Sequence, residues 1–258
     1  MQLQDKVAII TGAASGMGRA MALGYGAEGA HVVVADLDDE GAASVVAEIE
    51  KAGGSAQAEH LDVADPESSR AVVNRVVGAH GHLDVLVNNA GIGLIKPVWE
   101  TTPQEWERIF SVNVAGLFFA SQAALEPMRE QRSGKIINLA SIAGRRGEAL
   151  VAAYCASKAA VVSITQSVAL AAAPHGVNVN AMAPGVVDTP YWKEVDRQFG
   201  ALLGKEPGRH FQDVSETIPM GRAEQPEDVV PLAVFLAGSG SDYITGQTYN
   251  VDGGIVTS

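Results

Sequence analysis

Tyr154 and Lys158 stand four residues apart, with Ser141 thirteen residues upstream, and together they offer a phenol, an ammonium and a hydroxyl. On a helix, side chains at i and i+4 share a face, so the phenol and the ammonium project together toward whatever that face borders. A free phenol, with a pKa of about 10, is a poor base at neutral pH, and an adjacent ammonium favours the phenolate and eases proton transfer. The spacing also recurs in helices with no chemistry to do, so the surrounding elements must decide. Cys155 is the sole cysteine. A helix advances about 100° per residue, which turns Cys155 away from the Tyr154/Lys158 face and leaves it as a buried structural thiol.

A second group of residues suits a nucleotide. Thr11-Gly12-Ala-Ala-Ser15-Gly16-Met17-Gly18 joins the apolar run from Lys6 to a helical pattern. Glycines at a first strand–helix junction let backbone N–H groups approach a pyrophosphate, and the helix N-terminus favours negative charge. The spacing, T-G-x-x-x-G-x-G, differs from the G-x-G-x-x-G fingerprint. Asp36 ends the next apolar run, His31 to Asp36, where a carboxylate accepts hydrogen bonds from ribose hydroxyls and repels a 2′-phosphate. Leu37 follows directly, and no Lys or Arg occurs from Ala20 to Glu50. The preference is therefore for NAD over NADP.

The elements that must carry these groups alternate. Apolar β-branched strands are expected at 6–11, 31–36, 56–61, 83–88, 135–140 and 177–182, with helices at 18–29, 38–52, 66–79, 103–129 and 150–173 between them. Strands alternating with helices of that length form right-handed βαβ units and a parallel sheet covered on both faces. The fold class expected is α/β, a single doubly wound, Rossmann-like domain over 1–258. Strand order is 3-2-1-4-5-6, with Gly246 to Val251 as a seventh strand. Residues 188–219 break the rhythm and include Tyr191, Trp192 and Phe211, which suits a partly helical flap over a site.

Composition narrows the function. With 258 residues, 47% hydrophobic and 19% charged, the chain can bury a substantial core as a soluble globular protein. A formal charge of −12 with no basic run argues against a nucleic-acid partner, and Arg145-Arg146 reads as a surface pair. One cysteine excludes an intrachain disulfide framework and fits a reducing, cytoplasmic setting, as does the absence of a recognisable signal peptide. The stretch Leu150 to Ala173 is long enough to span a bilayer. Its Ala, Ser and Thr content and its lysine instead indicate a helix buried in a soluble protein or subunit interface, with no membrane partner.

Taken together, the glycine turn, Asn88-Asn89-Ala90-Gly91, Asn113, Ser141, Tyr154-x-x-x-Lys158 and Pro184-Gly185 followed by Thr189 resemble the short-chain dehydrogenase/reductase family over essentially the whole chain. The one small departure is Met17 in place of the commoner Ile or Leu. The resemblance implies that Gly12, Ser15, Gly16, Met17, Gly18, Asp36 and Leu37 bind the cofactor, with Asp62 and Val63 at the adenine. Asn89, Ala90 and Gly91 would line the adenosine side, and Pro184, Gly185, Val187 and Thr189 the nicotinamide end. Tyr154 would exchange the proton while hydride moves at the nicotinamide. Lys158 would lower the Tyr154 pKa and hold the ribose, Ser141 would orient the substrate oxygen, and Asn113 would hold a water linking Lys158 to solvent. Homotetramers are common in the family, and the helix from 150 and the helix bearing Phe118-Phe119 offer faces for one. No metal is implied in catalysis.

Ser141 to Lys158, Ala183 to Thr189 and Ser241 to Gly254 are similar to the sorbitol and galactitol dehydrogenase branch. The substrate implied is a small polyol oxidised to a ketose, with Ser141, Glu148, Tyr154 and Trp192 as contacts, since polar groups that pair with remote hydroxyls reject substrates lacking them. A 2,3-butanediol-type or other secondary-alcohol dehydrogenase and a 3-oxoacyl thioester reductase are the enzymatic alternatives. A catalytically silent nucleotide sensor is the non-enzymatic one.

Overall fold

Successive side chains of the central strands enter two different buried clusters, which explains why the sheet sits in the middle. Val7, Ile9, Val33, Leu86, Ile136 and Val179 pack with one group of helices, while Ala8, Ile10, Val34, Val87, Ile137 and Met182 pack with another. A strand whose two faces are both apolar must be covered twice. The computed structural model, which describes residues 1–257, shows how. In chain order the elements are β1 (Val7–Thr11), α1 (Gly16–Ala27), β2 (His31–Asp36), α2 (Asp39–Lys51), β3 (Ser55–His60), α3 (Pro66–His80) and β4 (Val85–Asn88). There follow α4 (Pro103–Phe110), α5 (Leu117–Gln131), β5 (Gly134–Leu139), α6 (Ala152–Ala172), β6 (Val177–Pro184), α7 (Pro190–Leu203), α8 (Arg209–Glu216), α9 (Val230–Ala237) and β7 (Thr248–Val251).

All seven strands are parallel, in the order β3-β2-β1-β4-β5-β6-β7, as the alternation of patterns requires. β1 pairs with β2 on one side and β4 on the other, Ile9 lying between Val33 and Leu86. The winding direction reverses there, and a crevice opens beyond the carboxyl ends of β1 and β4. The fully buried β1, β4 and β5 lie within the sheet, and the polar strand Ser55–His60 forms an edge.

Helix starts follow local rules with one instructive exception. Asp38 accepts from the Gly41 amide to cap α2, Asp65 accepts from Glu67 ahead of Pro66 in α3, and Thr102 with Glu105 forms a capping box on α4. At α1, Ser15 occupies the cap position and its side chain makes no capping bond.

Two expected elements differ. The helix expected over 103–129 is interrupted at Ser111–Gly116 by a π-helical turn, a widening common at functional sites, and that turn carries Asn113. The helix expected from 150 starts at Ala152 because Leu150 adopts φ 68°, a left-handed conformation outside any helix. That helix buries Ser157, Lys158 and Thr165; it is a core helix, as its small polar residues suggest.

Candidate active site

The crevice holds a cavity of about 400 Å³. Its floor is the glycine turn. Gly12 has φ 63°, and a Cβ there would lie 2.8 Å from the Ala90 Cα, so two loops meet at a distance only glycine allows. Gly18 does not line the cavity: a Cβ on it would strike the Gly12 carbonyl at 2.1 Å, so its role is packing. Gly16 is more open, with Thr189 across from it at 3.5 Å from its notional Cβ. Because Ser15 leaves the α1 amides uncapped, the helix N-terminus keeps donors for an anion.

Side chains sew the two loops together. Thr11 Oγ1 accepts from the Asn89 and Ala90 amides at 3.0 Å each, and Asn89 Nδ2 donates to the carbonyls of Thr11 and Gly12 at 2.9 and 2.8 Å. Asp36 reaches the same wall, its Oδ2 accepting from Ala14 N at 2.9 Å and its Oδ1 from Asp38 N at 3.0 Å. Each bond leaves further acceptor capacity on the carboxylate. Ser15, Met17, Leu37, Asp62, Val63, Gly91, Pro184, Gly185 and Val187 complete the cavity with these residues.

Tyr154 and Lys158 project together from α6 as their spacing predicts, Lys158 Nζ lying 5.8 Å from the Tyr154 ring centre. Lys158 Nζ donates to the Leu139 carbonyl at 2.7 Å, which ties α6 to the end of β5. Burial pushes the Lys158 ammonium down to about 8. Burial, seconded by the nearby Tyr191, pushes the Tyr154 phenol up, opposed by a hydrogen bond with Ser141. Lys158 is not among the groups that move the phenol here, and burial sets the direction, because removing a phenol from water penalises its anion.

Ser141 does two jobs. Its side chain lines both cavities beside Tyr154, and its hydroxyl accepts from Ala143 N at 3.1 Å, capping the turn after β5. Asn113 stands behind the cavity wall. Its Oδ1 accepts from Ile92 N and its Nδ2 donates to the Ile92 carbonyl, both at 2.8 Å. It also donates to Ser157 Oγ at 3.1 Å, and Ser157 in turn donates to the Tyr154 carbonyl at 2.8 Å. The asparagine side chain therefore latches the Gly91–Ile92 loop to the helix bearing Tyr154. Cys155, on the other face, packs with Ala143 and Val151.

A second cavity of about 350 Å³ adjoins the first, and Ser141, Tyr154, Gly185, Tyr191 and Trp192 line both. Its walls come from the loop carrying Arg146 and Glu148 and from the expected flap, which folds as α7 and α8. Asp196 pins the two helices, accepting from Gly208 N at 2.5 Å and Phe211 N at 2.8 Å. His210 stacks on Phe199 at 4.3 Å between centroids, with Trp192 beyond. Glu148 faces this cavity but is engaged by Arg146 at 3.2 Å, and Arg145 donates to the Thr248 carbonyl at 2.6 Å, so the two arginines are exposed, as the surface-pair reading expects, and each has a partner.

Several lining residues escaped the sequence. Arg108 is the one cation besides Lys158 on the first cavity among the described residues. The Tyr191 hydroxyl lies against Gly93, 1.8 Å from where a Cβ would stand. Ser157 had a legible signal, one helical turn after Tyr154; the aromatic wall of Phe199 and His210 had none.

A family profile for short chain dehydrogenases matches residues 6–199. Galactitol 2-dehydrogenase of Agrobacterium fabrum (strain C58) is 50% identical over 255 residues, covering 98% of each chain. Sorbitol dehydrogenase of Cereibacter sphaeroides is 47% identical, again over 98% of each. Among solved structures, a candidate NAD(P) dependent gluconate 5-dehydrogenase from Beutenbergia cavernae, with NADP bound at low occupancy, superposes with a TM-score of 0.89 at 40% identity, covering 98% of this chain and 97% of that one.

Proposed function

The chain belongs to the short-chain dehydrogenase family, and from that premise we propose that it is an NAD-linked polyol dehydrogenase, one catalytic domain with α7 and α8 as its substrate flap. The observation that carries this reading is the position of Tyr154, which with Ser141 lines the seam where the two cavities meet. The first cavity fits a dinucleotide: the uncapped α1 terminus suits the pyrophosphate, and the Asp36 carboxylate suits ribose hydroxyls better than a 2′-phosphate. When bound, the nicotinamide supplies the acceptor for hydride.

The chain's own residues handle the proton and the geometry. Ser141 orients the substrate oxygen toward Tyr154, which takes its proton in oxidation and returns it in reduction. Lys158 spends one donor on Leu139 and keeps others for the ribose. Burial keeps the phenol protonated, so alcohol oxidation, which needs a base, should speed up from about pH 7 to about pH 9, while ketone reduction, which uses the protonated phenol, should change little over that range.

The substrate class follows from the second cavity, whose Arg146/Glu148 pair offers polar partners to hydroxyls beyond the reacting carbon, and from the likeness to the galactitol and sorbitol enzymes. Initial rates with hexitols, vicinal diols and simple secondary alcohols, each with NAD and NADP, test it. Highest kcat/KM for a hexitol with NAD is expected; a simple alcohol preferred over every polyol would refute the substrate class. Exposed Phe118, Phe119 and Leu170 on α5 and α6 support a homotetramer, and a monomeric mass in light scattering would overturn that part.

A further inference from the structure

Glu224 belongs to no motif of the sequence, yet it grips the strip that leads out of β6. The residue is 7% exposed, and its Oε2 accepts at 3.0 Å from Gly185 N, an amide it shares with the Val251 carbonyl at 2.9 Å. Its backbone pairs on either side of Val187: Glu224 N donates to the Val186 carbonyl at 2.9 Å, and Asp188 N donates to the Glu224 carbonyl at 2.7 Å. One residue thus holds three points on the four residues that precede Thr189.

The remaining oxygen, Oε1, is buried without a partner among the described residues. Burial, then the Gly185 amide, and then the charges of Asp228 and Asp252 act on the carboxyl; the net result pushes it up to about 8. Arg222 opposes the rise weakly, because its guanidinium is occupied by Asp228 at 2.8 Å. Asp252 is itself held by the amides of Gly254 and Val256 at 2.9 and 2.8 Å. A carboxyl in such surroundings is an expensive way to hold one amide if holding it had no further use.

We infer that Glu224 is a positioning residue for cofactor binding: through Gly185 it sets the depth of the Gly185–Thr189 strip, and with it the affinity for the nicotinamide half of the dinucleotide. The inference rests on the reading of that strip as the nicotinamide wall. Glu224 is one hydrogen bond behind the cavity surface, so it acts through Gly185 and not by touching the ligand.

Calorimetric titration of the intact protein with NAD and with ADP-ribose, which lacks the nicotinamide, tests this across about pH 6.5 to 9. Glu224→Ala removes one of the two acceptors of the Gly185 amide and leaves it the Val251 carbonyl alone, so NAD should bind about fivefold more weakly while ADP-ribose binding stays within about twofold of wild type. Glu224→Gln keeps a neutral acceptor for Gly185. It should bind NAD within about threefold of wild type at neutral pH, because neutral hydrogen bonds differ little in net strength. Above about pH 8 the wild-type carboxylate makes a stronger, charge-assisted bond, so wild-type affinity for NAD should rise there, and the Gln variant should lose that rise. Equal weakening of both ligands by Glu224→Ala, or a pH response preserved in Glu224→Gln, would overturn the inference. Wild-type protein that binds ADP-ribose but not NAD would instead remove the nicotinamide reading of the strip, and the inference with it.

Discussion

The two halves of the cleft are built by different means. On the adenosine side the wall is backbone, held by short polar side chains: Thr11, Asn89 and Asp36 each fix a neighbouring loop through main-chain amides or carbonyls. On the substrate side the wall is made of side chains carried by two helices and a loop, closed by aromatic stacking and one buried carboxylate. A ligand with an invariant shape can be met by backbone geometry, which demands particular residues, glycine above all. A ligand that varies between enzymes is met by side-chain packing, where many combinations of equal volume serve. The first half should therefore break sharply and the second by degrees.

The largest effect is expected at the seam, where both cavities share Tyr154. Tyr154→Phe removes the proton carrier and keeps the ring, so kcat should fall by roughly a thousandfold with NAD affinity unchanged in calorimetry. A loss of less than tenfold would show that another group moves the proton and that the seam is not where the halves meet chemically. Next comes the adenosine half. Asp36→Ala combined with Leu37→Arg removes the acceptors for ribose hydroxyls and supplies a cation for a 2′-phosphate. The ratio of kcat/KM values for NAD and NADP should shift toward NADP by roughly 10–100-fold, the worth of hydrogen bonds to a charged group. An unchanged ratio would mean that Asp36 serves the loop through Ala14 and Asp38 and not the cofactor.

The same contrast explains what could be read from the residues. The sheet order and the residues of the first cavity were legible because each answers to a local rule: apolar runs alternating with helices for the strands, a glycine turn at the first strand–helix junction, a carboxylate at the end of β2. Tyr154 and Lys158 were placed by helical periodicity alone. The direction of the Tyr154 shift was not legible, since it depends on how much water the folded site excludes, which no spacing reveals. Nor were Glu224 and Asp196, whose partners are amides 39 and 12 residues away along the chain. The flap was recognisable only as a break in rhythm, and Phe199 and His210 meet through the packing of α7 on α8, a tertiary event with no sequence period.

On the substrate half, Asp196→Ala leaves the part-buried amides of Gly208 and Phe211 without their carboxylate acceptor and loosens α8 against α7. Substrate KM should rise about tenfold, the effect of one to two lost hydrogen bonds to a charged group, with NAD affinity within about twofold because the proposed cofactor wall shares no bond with Asp196. Equal loss of substrate and cofactor binding would show that the halves are mechanically coupled, against the contrast drawn above.

The smallest effect is expected at Glu148, and it separates two roles for one side chain. Its pair with Arg146 is half exposed, and such pairs are worth at most about 1 kcal/mol. If Glu148 only tethers Arg146, Glu148→Ala should raise KM by about threefold or less, equally for a hexitol and for a simple secondary alcohol. If its carboxylate also accepts from a hydroxyl beyond the reacting carbon, the hexitol alone should lose affinity, because only that substrate is left with an unpaired group. The second outcome is expected, since Glu148 lines the cavity with one oxygen, Oε1, engaged by Arg146 and the other still available to a hydroxyl.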